Sequence, residues 1–140
     1  MSSKASAEWN GTLKAGKGVM KPAHGNDVPF SLATRFEGQP GSNPEEMIGA
    51  ALAGCFSMAL SVGLESNGVT PVSTKTTADT YLAKDGEGFK IAKIDLVTTI
   101  NATGADAAKI KAIAEETKKQ CPVSKALAGT TINLTVNVSG

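Results

Sequence analysis

Residues 42–64 read SNPEEMIGAALAGCFSMALSVGL, and the fold turns on them. Asn43 offers a side-chain oxygen to the unpaired N–H groups of a starting helix. Pro44 suits the first helical position, and Glu46, three residues after Asn43, can close a capping box. From Met47 to Leu64 there is no charge, and Asn67-Gly68 then supplies a stop signal. The run is long enough for a membrane span. Its three Gly, two Ser and four Ala leave its apolarity weak, however. A helix apolar on all sides between polar ends is expected to be the buried central helix of a soluble protein. Gly49, Ala53, Ser57 and Ser61 form a ridge of small residues that would admit a second backbone, such as a mate helix across a dimer interface.

Outward from this helix the chain is read as strands grouped in hairpins. Residues 7–13 and Val19-Met20 flank the Gly-rich turn Lys14 to Gly18, and residues 29–35 form a third short strand. Residues 72–82 and 89–100, rich in Thr, Val and Ile, flank the turn Lys84-Asp85-Gly86-Glu87-Gly88. A helix over 106–119 places Ile110, Ile113 and Ala114 on one face, and Pro122 starts a short helix ending at Gly129. Residues 131–138 close the chain as a strand with Ile132, Leu134, Val136 and Val138 on one face. The order βββ-α-ββ-αα-β predicts an α+β, mainly antiparallel protein.

A length of 140 residues predicts one domain. The balance of 14 basic and 13 acidic residues, with aromatics at 4%, leaves neither a basic patch nor a stacking platform, so nucleic acid is excluded as a partner. The polar start, Met1 to Glu8, shows no secretory signal. A cytoplasmic protein with no membrane partner is expected, in a compartment where a disulfide is catalytic or sensing rather than structural.

Two cysteines carry the chemistry. Cys55 lies midway along the apolar helix, and Cys121 lies in Gln120-Cys121-Pro122-Val123-Ser124, where one helix ends and another begins. Neither has a CxxC partner, and two thiols alone make a poor zinc site. They are either two buried core residues or a redox couple that the fold brings together. On local grounds Cys121 has the lower pKa, since it stands beside the unpaired N–H groups of a helix start. Arg35 closes the third strand just before the loop leading to the Cys55 helix. Glu46 is the better capping residue, which leaves Glu45 without a structural task. His24, the only histidine, lies in a polar loop with no partner set to activate a serine. The glycines match neither a P-loop nor a dinucleotide fingerprint.

Arg35-Phe36-Glu37-Gly38, Gly41 to Glu46, Gly49 to Leu60 and Cys121-Pro122-Val123-Ser124 closely resemble the OsmC/Ohr family of organic hydroperoxide peroxidases. Trp9-Asn10-Gly11 and the Arg-Phe-Glu-Gly stretch are similar to the OsmC branch. Gly54 stands where the family commonly has Ala. The resemblance implies one OsmC-like domain over residues 1–140, forming an intertwined homodimer with sheets wrapped around paired central helices. It also implies that Cys55 is the reactive thiol and Cys121 the resolving one, with Arg35 and Glu45 as the activating pair. That assignment reverses the local preference for Cys121. Organic hydroperoxide or hydrogen peroxide would be the substrate and an external dithiol the reductant. No metal or organic cofactor is implied. The competing expectation is a non-enzymatic thiol sensor or small-ligand-binding module of the same fold.

Overall fold

The computed structural model describes residues 1–139. The chain forms two compact units, Met1–Met47 and Ile48–Gly140. The first holds a three-stranded antiparallel sheet, β1 (Ala5–Asn10), β2 (Lys17–Pro22) and β3 (Val28–Phe30), in that order. Gly18 pairs with Trp9 on one side and Phe30 on the other. A Cβ at this position would come within 2.7 Å of both rings. The glycine therefore lets the two rings meet, 5.6 Å between centroids.

The third strand expected over 29–35 is cut short. Ser31 caps a five-residue helix, α1 (Leu32–Phe36), by a reciprocal exchange. Its hydroxyl accepts from the Thr34 N–H at 3.2 Å, and its own N–H donates to Thr34 Oγ1 at 2.9 Å. A capping box written with Thr in place of Glu outweighs the strand preference of the neighbouring residues. Arg35 consequently sits in the last turn of a helix, not at a strand end.

Helix α2 (Pro44–Ser66) starts and stops as the sequence predicts, with Gly68 at φ +73° just beyond its end. In the second unit its Leu52, Phe56, Leu60 and Leu64 are fully buried. They form a stripe at spacing four, each side chain worth about 1.5–3 kcal/mol of burial. This stripe meets Ile94, Leu96 and Ile100 of β5 (Gly88–Thr103) and Ile110, Ile113 and Ala114 of α3 (Ala107–Gln120) in one core. Within the single chain one face of the helix is open: Met58 is 76% and Val62 61% exposed. Length and hydropathy alone would let α2 cross a membrane, but its stripe serves as a core helix here. At Gly49 and Ser57 the ridge of small residues admits a strand of the same chain. A Cβ on Gly49 would lie 2.8 Å from Thr80 Oγ1, and Ser57 Oγ donates to Thr76 Oγ1 at 2.8 Å.

Strands β4 (Thr70–Asp85) and β5 form a long antiparallel hairpin closed by Gly86-Glu87, with Gly86 at φ +62°. Strand β6 (Thr131–Ser139) lies on the other edge of β5 and runs parallel to it. This sheet is therefore mixed, while the other three strand pairings of the chain are antiparallel, as expected. The chain returns through α3 and α4 (Pro122–Ala126), a connection long enough to bring it back in the same direction. Asp95 secures this pairing. Its carboxylate accepts from Asn133 Nδ2 of β6 at 2.9 Å and from Lys93 Nζ at 3.1 Å.

Candidate active site

In the first unit Arg35 and Glu45 form a forked ion pair. Arg35 Nε donates to Glu45 Oε1 at 3.0 Å and to Oε2 at 3.2 Å, and Nη2 also donates to Oε1. Glu45 is 6% exposed, whereas the Arg35 side chain is about one-third exposed. A planar guanidinium held by a buried carboxylate is oriented and keeps its other face for further contacts. Glu46 takes the structural work, as expected. Its N–H donates to Asn43 Oδ1 at 2.8 Å, and its carboxylate accepts from Ser42 Oγ at 2.9 Å, not from the cap N–H of the predicted box. Arg35 also lies 5.0 Å from the centre of the Phe36 ring. Beside it opens a cavity of about 300 Å³ lined by Trp9, Leu13, Phe30, Leu32 and Phe36. The sequence reading missed this apolar lining. Its only signal was a cluster of aromatics near the start of a chain that has few.

In the second unit α2 presents Cys55 and the α3–α4 junction presents Cys121. Cys121 ends one helix and begins the next: its N–H donates to the Thr117 carbonyl at 3.0 Å, and its carbonyl accepts from the Lys125 N–H at 3.0 Å. Pro122 fills the first helical position, as expected. The two sulfurs are 2.8 Å apart and unbonded. Cys55 is partly exposed, whereas Cys121 is completely buried.

Within this unit the contact between the two thiols shifts them in opposite directions. Burial pushes Cys55 up, and the contact with Cys121 adds to the rise, while the Val123 backbone amide opposes it. Burial acts on Cys121 too, but it is outweighed by Cys55, by the Ser124 amide and hydroxyl and by the Val123 amide. The Cys121 thiol is held below the ordinary value. The local expectation for Cys121 thus agrees with its surroundings. Access ranks the pair the other way, since only Cys55 has a surface for an incoming molecule. His24 is exposed.

Residues 36–137 match the family model described as OsmC-like protein. The chain belongs to the OsmC family. It is 48% identical to "Peroxiredoxin OsmC" of Escherichia coli K12 over 126 residues, which cover 89% of this chain and 88% of that protein. It is also 32% identical to organic hydroperoxide resistance protein OhrA of Bacillus subtilis over 98 residues, covering 70% and 67%. Among solved structures, the OsmC-like protein of Mycoplasma pneumoniae superposes with a TM-score of 0.78 at 16% identity, covering 100% and 99% of the two chains. An organic hydroperoxide resistance protein of Elizabethkingia anophelis gives 0.76 at 23%, covering 97% and 96%. The α+β arrangement described above is the OsmC/Ohr fold.

Proposed function

We propose that this OsmC-family chain is a thiol-dependent peroxidase in which Cys55 attacks the peroxide and Cys121 resolves the product. One observation carries the reading: two free thiols from distant parts of the chain meet at 2.8 Å, one reachable and one enclosed. The Cys55 thiolate attacks the O–O bond of ROOH, its sulfur becomes a sulfenic acid, and the alkoxide leaves to be protonated to alcohol. Cys121 then attacks the sulfenic sulfur, giving a Cys55–Cys121 disulfide and water. An external dithiol reopens it.

Ionisation alone does not supply the rate. A thiol of pKa ~8.5 is about one-tenth ionised near pH 7.5, so complete ionisation gains roughly tenfold, about 1.4 kcal/mol. Because burial pushes the Cys55 thiol up, a cation is needed both to ionise it and to steady charge on the departing oxygen, an electrostatic contribution of several kcal/mol. Arg35, oriented by Glu45, is assigned that role. The apolar cavity beside Arg35 favours an organic hydroperoxide over hydrogen peroxide. The chain acts as one OsmC-like domain within a homodimer, a reading supported by the exposed Met58 and Val62 on α2.

A second reading exchanges the cysteines, because Cys121 has the lower pKa. Its complete burial argues against attack on an external peroxide. Consumption of cumene hydroperoxide with dithiothreitol, followed over many turnovers, tests the proposal. Wild type should turn over repeatedly, and Cys55→Ser should be inactive while folded. A single stoichiometric oxidation that then stops would identify a sensor instead.

A further inference from the structure

Ser124 is the fourth residue of the Cys121-Pro122-Val123-Ser124 stretch, and the peroxidase scheme has so far given it nothing to do. It occupies the third position of α4, with Cys121 as the cap. In that register the cap side chain and the third helical residue face each other. Ser124 is 8% exposed, and its Oγ is wholly enclosed with no hydrogen-bond partner among the described residues. A buried hydroxyl without a partner is costly, and a redox or catalytic role is one reason native structures keep one. The state that would satisfy it is the charged form of the sulfur beside it.

We propose that Ser124 is a positioning residue for the resolving step, its buried hydroxyl donating a hydrogen bond to the Cys121 sulfur as negative charge gathers there. The inference rests on the peroxidase reading. In that step Cys121 loses its thiol proton and its sulfur attacks the Cys55 sulfenic acid. The S–S bond forms as the S–O bond breaks, and the lost proton ends on the departing hydroxide as water. The Cys121 sulfur is oxidised and the Cys55 sulfur reduced, while Ser124 keeps its own proton throughout. When an external dithiol attacks the more exposed Cys55 sulfur of the disulfide, Cys121 leaves as a thiolate and receives the same hydrogen bond.

Among the described residues of this unit, the groups acting on Cys121 are few, and the titratable one is Cys55 on α2. From α3 comes the Thr117 carbonyl, which holds the Cys121 backbone N–H, and from α4 come the amides of Val123 and Ser124. The Ser124 hydroxyl is the one mobile donor among these, free to rotate when charge appears and to rest when it is gone.

The experiment oxidises the reduced full-length chain with one equivalent of cumene hydroperoxide and follows disulfide formation by rapid quench, alkylation and intact mass across a pH series. Ser124→Ala should form the disulfide roughly tenfold more slowly near neutral pH, with the midpoint of its pH profile moved upward by about one unit. Ser124→Thr, which keeps the hydroxyl, should hold the wild-type midpoint. Ser124→Val, nearly the same shape as Thr, should behave like Ala, so the Thr/Val pair decides the matter even where Ala disturbs folding. A wild-type midpoint in Ser124→Ala, or identical profiles for Thr and Val, would overturn the assignment to Ser124 alone. Absence of any disulfide in wild type would instead remove the peroxidase reading and this inference with it.

Discussion

Cys55 and Cys121 are 66 residues apart in the chain and 2.8 Å apart at their sulfurs. They do not share their surroundings equally. Cys55 rises partly exposed from the middle of α2, while Cys121 is enclosed at the joint of α3 and α4, facing backbone amides and the Ser124 hydroxyl. A disulfide needs the sulfurs to close to about 2.05 Å, so once peroxide has oxidised Cys55 to the sulfenic acid only a short movement brings Cys121 to bonding distance, with water leaving.

Division of labour in the pair is tested by Cys121→Ser. This variant should react with one equivalent of organic hydroperoxide near the normal rate and stall as a Cys55 sulfenic acid. Excess peroxide should drive it to sulfinic and then sulfonic acid, whereas wild type loses two hydrogens. Measured from each reduced chain, the disulfide and sulfinic mass shifts differ by about 34 units, well resolved by intact-mass spectrometry. A variant that fails to react at all would exchange the roles of the two cysteines.

Arg35→Lys keeps the charge but loses the planar fork that Glu45 holds. The value of kcat/KM for cumene hydroperoxide should fall about a hundredfold, in line with the loss of one preorganised donor. Glu45→Gln should cost less, roughly tenfold, since the guanidinium remains but its orientation loosens. Wild-type kinetics in Arg35→Lys would sever Arg35 from the reaction.

The coupled thiols set a pH signature. Cys121 is held down and Cys55 pushed up, so the reduced protein should lose its two thiol protons in separated steps. One step falls below the usual thiol value of about 8.5 and one above it. Ultraviolet thiolate absorbance reads both. Because the lower step depends chiefly on Cys121, Cys121→Ser should abolish it. A single step of double amplitude near the ordinary value would contradict the coupling.

The dimer is tested on the exposed face of α2. Met58→Glu combined with Val62→Glu places charge where two apolar side chains now meet solvent. Sedimentation velocity should show wild type at twice the 14.2 kDa chain mass and the double variant at the chain mass. If wild type sediments as a single chain, the paired-helix expectation is wrong.

Much of this protein is decided locally, and the sequence alone determines that part. Asn43-Pro44 starts α2 and Gly68 stops it, because unpaired backbone groups and a positive φ leave few residue choices at those places. Alternation along β4, β5 and β6 and the stripe of α3 follow equally from short-range periods. The family motifs pointed to Arg35, Glu45, Cys55 and Cys121. Direction and distance are different. Periodicity carries no sense of chain direction, so the parallel pairing of β6 with β5 waited on the path through α3 and α4. Nor does spacing record which backbone a ridge of small residues meets, so the sequence left open that β4 lies against Gly49 and Ser57. Arg35 sits on a helical turn because of a reciprocal Ser31–Thr34 exchange too short to show in a hydrophobic pattern. Only the tertiary structure could place two sulfurs in contact, enclose one of them and leave a hydroxyl beside it unpaired. Burial and proximity across 66 residues arise from the packing of separate elements, and no local stretch of chain encodes them.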